Sequence, residues 1–297
     1  MAENPDYVFT RDYIDNNRIN LQHYLWVELF GYLTHPNIRL LEKAHSSTES
    51  KPLRVADVGT GTAIWLTDLG ARLPHDVQLD GLDVSFNAAP PASWLPRNVT
   101  LRNWDIKEPA PAELIGAYDL VHIRNFAFVL QDAEIPSILD KLIALLSESF
   151  ILQSPGAANV KPEPGGYIQW GEPDVASFRI EKTEASNKVE ALTGLLALSQ
   201  GQDARLKPTW VPGLARSFEL AGLEQMHTDV RDAPPHLALA MHECNLTIHE
   251  LIARQTGKPE IAKALAQMMS EVGVETRNGA CWAFTRWTII GRKQDEV

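Results

Sequence analysis

The sequence predicts an α/β fold in which strands and helices alternate around a mostly parallel sheet. Three observations predict it. A β-rich run from Leu53 to Val58 passes straight into Gly59-Thr-Gly61 and then into an amphipathic helix. Strand-like and helix-like runs go on alternating as far as Trp170. A final strand-like run, Cys281–Ile290, closes the chain after two long helical patterns. Right-handed crossovers in such a sheet put the strand C-terminal ends, and any ligand with them, along one edge.

The elements follow in order. Residues 11–43 read as helix, with Leu21, Leu25 and Leu29 at i, i+4 spacing beside Tyr24 and Trp26. His45 to Pro52 is a polar, Ser/Thr-rich linker. Leu53–Val58 is the first strand, followed by the glycine pair, a helix through about Leu73 and a second strand at Val77–Val84. Further strands fit Val99–Asn103, Tyr118–Ile123 and Tyr167–Trp170, with a helix at Ile135–Leu146. Helices then fit Thr183–Leu198 and Val211–Ala221, and a strand fits Gln225–Val230. Pro234-Pro235 breaks the chain before helices at Leu237–Arg254 and Pro259–Val272.

Composition narrows the class. The chain has 297 residues, 44% hydrophobic and 22% charged, enough apolar material for a sizeable core. It carries a formal net charge of −11, so nucleic acid and anionic membrane are poor candidate partners. No stretch matches a membrane span, and the N-terminus reads as lacking a secretory signal. Cys244 and Cys281 form neither a CxxC pair nor a disulfide framework. These features predict a cytoplasmic protein acting on a small molecule, and a homodimer is compatible with them.

The sharpest feature is Val55-Ala-Asp-Val-Gly59-Thr-Gly61-Thr62. A strand turning sharply into a helix needs residues without Cβ at the kink, and such a turn lets a ligand approach the main chain. A tight turn with no ligand is the plain alternative. Among nucleotide readings, a P-loop would need a lysine that does not follow these glycines. A dinucleotide fingerprint would need a third small residue where Ile64 stands. S-adenosylmethionine (SAM) has no phosphate and no such requirement, so the motif favours SAM. Asp83 closes the second strand, where a carboxylate can accept from both ribose hydroxyls. Asp105 ends the third, where it can accept from an adenine amino group. Either acid alone is more often a strand-end cap; the two together behind a glycine loop favour a ligand.

With these residues in place, the sequence resembles a known family. Asp57-Val-Gly59-Thr-Gly61, Asp83, Trp104-Asp105, Tyr118-Asp-Leu-Val-His122-Ile-Arg124 and Pro164-Gly-Gly-Tyr-Ile-Gln-Trp170 resemble the ordered motifs of class I SAM-dependent methyltransferases. Arg18-Ile-Asn-Leu-Gln-His23-Tyr-Leu-Trp26 is similar to the leader of fungal secondary-metabolism methyltransferases, a group that includes the gliotoxin and sirodesmin N-methyltransferases and, more distantly, LaeA-type regulators. The resemblance covers residues 8–175 strongly and the rest weakly. It implies a Rossmann-like seven-stranded sheet whose last strand is antiparallel. It places Gly59 and Gly61 under the methionine part of SAM, with Asp57 orienting the loop. Asp83 and Val84 would meet the ribose and adenine, Asp105 and Ile106 would frame the adenine, and Arg124 and Asn125 would border the sulfonium. One stretch, Ser147–Pro162, departs from the family pattern as a surface insertion or the translation of an unspliced intron, because α/β loops are usually short.

Methyl transfer from a sulfonium is a direct displacement, so alignment and exclusion of water supply much of the rate. An amine or thiolate acceptor needs little more, whereas a hydroxyl gains from a general base. The predicted lid helix, Leu237–Arg254, carries an apolar face of Met241, Cys244, Ile248, Leu251 and Ile252. Along its margin His242, Asn245 and His249 form a polar stripe, either solvated or facing an acceptor, with the two histidines as candidate bases. An HExxH zinc site is excluded because Leu246 stands at its second histidine position, and no metal is expected. Trp26, Trp170 and Glu172 are candidates for an aromatic substrate wall, or else pack cap against core. His23 and Arg18 are alternative locks for the cap over the cofactor.

The combined expectation is one methyltransferase domain over residues 1–297. It has a helical cap (1–50), an α/β core (51–230 and 279–297) and a helical lid insertion (231–278). It would use SAM, release S-adenosylhomocysteine (SAH), and methylate N or O of a small metabolite. The rival expectations are a SAM-binding enzyme of pericyclic or elimination chemistry, and a LaeA-like regulator.

Overall fold

A computed structural model describes residues 12–46, 52–148, 165–200 and 207–294. Most of the Ser147–Pro162 stretch, from residue 149 on, lies outside the described residues. Seven strands form one sheet: β1 (Arg54–Val58), β2 (Gln78–Asp83), β3 (Val99–Asn103), β4 (Leu120–Arg124), β5 (Tyr167–Lys182), β6 (Glu224–Arg231) and β7 (Ala280–Arg292). Their spatial order is β3-β2-β1-β4-β5-β7-β6. The first five run parallel, and β7 lies antiparallel between β5 and β6. This is the Rossmann-like sheet of the methyltransferase resemblance, with its reversed last strand. The order switches direction at β1, so the C-terminal ends of β1 and β4 diverge around a crevice.

The central strands read as continuous apolar runs because both faces are covered. Val55, Ala56 and Val58 of β1 and Leu120, Val121 and Ile123 of β4 are buried. On one face α3 (Ile64–Gly70) presents Trp65, Leu66 and Leu69. On the other lie α4 (Ile135–Leu145) and α6 (Leu214–Leu220), whose Leu139, Leu142, Leu214 and Phe218 join the main core.

The cap differs from its expectation. The helix ends at Phe30, because Gly31 takes a left-handed C-cap (φ 79°) and His35-Pro36 begins a separate turn. The chain resumes as α2 (Leu40–Ser46). In α1 (Tyr13–Phe30) the buried residues are Asp15, Arg18, His23, Trp26 and Phe30, whereas Leu21 is exposed. The cap therefore docks through its polar and aromatic stripe rather than the Leu21-Leu25-Leu29 stripe. Asp12 caps the helix by accepting from the Ile14 and Asp15 N–H groups, a contribution of about 1 kcal/mol.

The second half is also rearranged. β5 continues far past Trp170, and its extension pairs with the first half of β7 after a register shift between Asp174 and Arg179. Thr183 to Val189 is therefore turn rather than helix, and α5 spans Glu190–Gln200. On this extension sits a layer of α5, α7 (Pro235–Gln255) and α8 (Pro259–Arg277), with its own core built on Leu192, Leu195, Leu251, Leu265, Val272 and Trp282. Glu275 of α8 ties it together, accepting from the Ala191 and Leu192 N–H groups at the start of α5. The helical layer thus includes α5 as well as residues 231–278. Among the described residues no helix is long and apolar enough to cross a membrane.

Candidate functional site

The glycine loop is held by the strands beside it. The Gly59 and Thr60 N–H groups donate to the Leu82 carbonyl, and the Gly61 N–H donates to Asp83 Oδ2 at 2.9 Å. Both glycines are left-handed, at φ 67° and 54°. They do different work. A Cβ on Gly59 would lie 2.4 Å from the Phe126 ring, so packing alone demands glycine there. A Cβ on Gly61 would meet nothing closer than 3.9 Å, leaving open space over the main chain for a ligand.

Beneath the loop, Asp57 Oδ2 accepts from Thr60 Oγ at 2.7 Å and Oδ1 lies 2.7 Å from His122 Nδ1. His122 is stacked flat on Trp65 with centroids 3.8 Å apart, and burial lowers its pKa. A neutral His122 donating from Nδ1 satisfies both. Asp83 Oδ1 also accepts from the Ser85 N–H. Asp105 Oδ1 accepts from the Lys107 N–H, and Ile106 is buried beside it.

Arg124 and Asn125 stand where β4 ends. Arg124 Nη2 donates to His23 Nδ1 at 3.0 Å, and His23 Nε2 donates to Asp68 Oδ2 at 3.0 Å. Burial and the Arg124 charge hold the His23 pKa down to about 4, as this donor–acceptor pattern on a neutral ring requires. The chain of bonds joins cap, β4 and α3, so His23 is a lock between them. Asn125 takes a left-handed φ of 64° and accepts from Gln22 Nε2 of the cap.

One continuous cavity of about 250 Å³ begins at this loop. Asp57, Gly59, Gly61, Asp83, Val84, Asp105, Ile106, Arg124 and Asn125 all line its first half. Ile64, at the position of a third fingerprint glycine, lines it as well. That apolar side chain suits a donor without phosphate, and the open Gly61 main chain and the carboxylates Asp83 and Asp105 suit its amino acid, ribose and adenine parts. The residues present fit SAM.

The second half lies under the helical layer. Trp282, Phe284 and Arg286 alternate along β7 and so share one face, opposite Pro173 and Val175 of β5. Asn245, Ile248, His249 and Ile252 face them from α7, at 3, 4 and 7 spacing. Phe128 and Val129 close the side after β4. His249 is buried and its Nδ1 has no hydrogen-bond partner of normal geometry, although the Asn245 and Leu246 carbonyls lie beside the ring. Burial pushes its pKa down to about 4, so it is neutral at neutral pH.

Four expected positions lie elsewhere. His242 does not line the cavity: its Nδ1 accepts from the Trp282 N–H and its Nε2 bonds Thr276 Oγ at 2.9 Å. Both ring nitrogens are engaged, so a base role for His242 is corrected to a brace between α7, α8 and β7. Trp26 stacks on Phe30 and sits under the Arg124 guanidinium, away from the main cavity. Trp170 is fully buried against Trp210 and Phe218. Glu172 accepts from the Phe126 and Ala127 N–H groups and from Trp170 Nε1, which fixes the loop after β4. Burial pushes its pKa up to about 8 against those three donors. The aromatic wall is made instead by Phe128, Trp282 and Phe284. Only the period-2 pattern of Trp282, Phe284 and Arg286 hinted at it.

No family model matches the chain. It is similar to N-methyltransferase tcpN of Claviceps purpurea, at 28% identity over 75% of this chain and 70% of that one. It is 34% identical to methyltransferase grgD of a Penicillium species, over 54% of this chain and 50% of that one. The secondary metabolism regulator LAE1 of Gibberella fujikuroi matches at 28% over 40% of this chain and 34% of that one. Among solved structures, the plantazolicin methyltransferase BpumL with a pentazolic analog and SAH is 14% identical, covering 95% of this chain and 90% of that chain with a TM-score of 0.48. For grgD and LAE1 the match spans half or less of the relative's own length.

Proposed function

We propose that this homologue of fungal methyltransferases transfers a methyl group from SAM to a nitrogen or oxygen of a small molecule, releasing SAH. The observation that carries the reading is the single cavity linking the Gly61–Asp83 cradle to an aromatic chamber around His249. SAM supplies an electrophilic methyl group on a sulfonium, displaced directly by a nucleophile. Asp83 and Asp105 are positioned to bind and orient the donor, and the open main chain at Gly61 accommodates it. The cap, locked by the Arg124–His23–Asp68 chain, roofs the donor half. The helical layer closes over the acceptor half, where apolar walls exclude water and hold the acceptor in line. His249, neutral and lining the acceptor half of the cavity, is the group able to take a proton from an acceptor N–H or O–H. The names of tcpN and grgD support methyl transfer, and the acidic composition supports a cytoplasmic enzyme of small molecules over a nucleic-acid binder.

The test is incubation of the protein with trideuteromethyl-SAM and metabolite extracts, read by mass spectrometry. A product carrying the deuterated methyl group is the expected result. Consumption of an acceptor with no methyl gained would replace this reading with non-methylating SAM-dependent chemistry. No turnover, together with a stable protein complex from cells, would favour the LaeA-like regulatory role.

A further inference from the structure

Arg286 lines the acceptor half of the cavity, and the methyl transfer itself does not use its charge. It projects from the middle of β7 and is only 5% exposed, yet it lines the cavity with Trp282 and Phe284 on the same strand face. A guanidinium has five N–H donors. This one makes a single hydrogen bond among the described residues, from Nη1 to the Phe284 carbonyl at 3.1 Å. Among the described residues no carboxylate lies within ion-pair distance of it. Of the groups that act on its charge, Cys244 is a buried thiol and Asp232 is engaged by Arg179 and Thr285. Desolvation lowers its pKa only to about 10, so it stays cationic at neutral pH.

Of the other arginines lining the cavity, Arg18 is paired with Asp15, whereas Arg124 has no carboxylate within ion-pair distance among the described residues and is bonded to the neutral His23 ring in the donor half. Arg286 is therefore a buried cation facing an apolar chamber with most of its donors uncommitted, an arrangement that is costly without a partner. Its neighbour Asn245 makes no side-chain hydrogen bond, and its Nδ2 is buried and unpartnered.

We infer that Arg286, helped by Asn245, recognises an anionic oxygen group on an apolar aromatic acceptor. The guanidinium fork matches the two oxygens of a carboxylate and also pairs with a single phenolate oxygen. The aromatic walls take the body of the acceptor, and Arg286 fixes its far end relative to His249. Arg286 is a specificity residue and leaves the proton at His249 and the methyl group untouched. This rests on the methyltransferase reading for its biological meaning, whereas binding of the anion can be measured without turnover.

The experiment uses 2-naphthoate and the neutral isostere 2-naphthamide. Each is titrated calorimetrically into wild-type protein, with and without saturating SAH, and into Arg286→Gln and Asn245→Ala. Wild type should bind the naphthoate at least about tenfold tighter than the amide. Arg286→Gln should lose that preference while retaining SAH affinity and amide affinity, and Asn245→Ala should weaken it a few-fold. Equal binding of acid and amide by wild type, or no binding of the naphthoate, overturns the proposal without needing any variant. Loss of SAH binding in a folded Arg286→Gln overturns it too, assigning the arginine to the donor. If wild type prefers the anion but never binds SAH, the methyltransferase reading fails and the anion site stands.

Discussion

The two halves of the cavity are built on opposite principles. In the donor half the polar groups are already bonded to the protein: Asp57 to His122 and Thr60, Asp83 to Gly61 and Ser85, Arg124 to His23. In the acceptor half, among the described residues, Asn245 Nδ2 and Trp282 Nε1 have no hydrogen-bond partner, His249 Nδ1 meets the Asn245 and Leu246 carbonyls only out of normal geometry, and Arg286 has one carbonyl. A site for an invariant ligand is preorganised by its own hydrogen bonds, and the residual lone pairs do the binding. A chamber for a particular substrate keeps unpaired donors in reserve, where an unmatched ligand leaves them unsatisfied and is rejected.

The largest effect that should separate the halves is at His249. His249→Ala is expected to cut turnover about 100-fold while leaving SAH affinity unchanged; steady-state kinetics beside calorimetry checks it. Its helix neighbour should behave oppositely. His242→Ala removes the partner of the Trp282 N–H, so stability falls by about 1–3 kcal/mol in urea denaturation. If His242→Ala instead abolished turnover in a stable protein, the brace would be wrong.

Next is the contrast inside the glycine loop. Gly59→Ala drives a Cβ into Phe126 and adds left-handed strain, a loss of about 2–5 kcal/mol. Gly61→Ala meets open space and should cost about 1–2 kcal/mol of stability while weakening SAH binding. Thermal melts with and without SAH separate the two. Equal destabilisation by both would erase the distinction.

The pH effect is shared by both halves. His23, His242 and His249 all titrate near 4 in the fold because burial disfavours their charged forms, against 6.5 for the free side chain. The unfolded chain therefore binds more protons between those values, and stability rises with pH across that window. Melting temperature should fall as pH drops from 6.5 toward 4, and the fall should be shallower in His242→Asn. A flat profile there would mean that the histidines are not held neutral.

The same division explains what the sequence revealed. The donor half was legible because β1, the glycine loop and the ends of β2, β3 and β4 carry their chemistry at fixed local spacing, and the sheet edge brings those ends together. All nine donor-side positions line the cavity. The acceptor half was mostly hidden because it depends on the extension of β5 past Trp170, a stretch to which the sequence pattern assigns no element, although the β7 side reads as strand. α7 misled for a physical reason: it is covered by α1 on one side and by α8 and β7 on others, so its His242 and His249 are buried rather than marginal. Trp26, Trp170 and Glu172 are next to the site in sequence logic but one layer beneath it in space.

The most direct test of the central claim is calorimetric titration of SAH into the wild-type protein and into Asp83→Ala. Saturable binding to wild type, weakened at least about 100-fold in the variant, is the predicted result, because the carboxylate holds the glycine loop and lines the donor half of the cavity. A folded wild type that takes up no SAH, or an Asp83→Ala that binds it equally well, would contradict the donor site and with it the proposed methyl transfer.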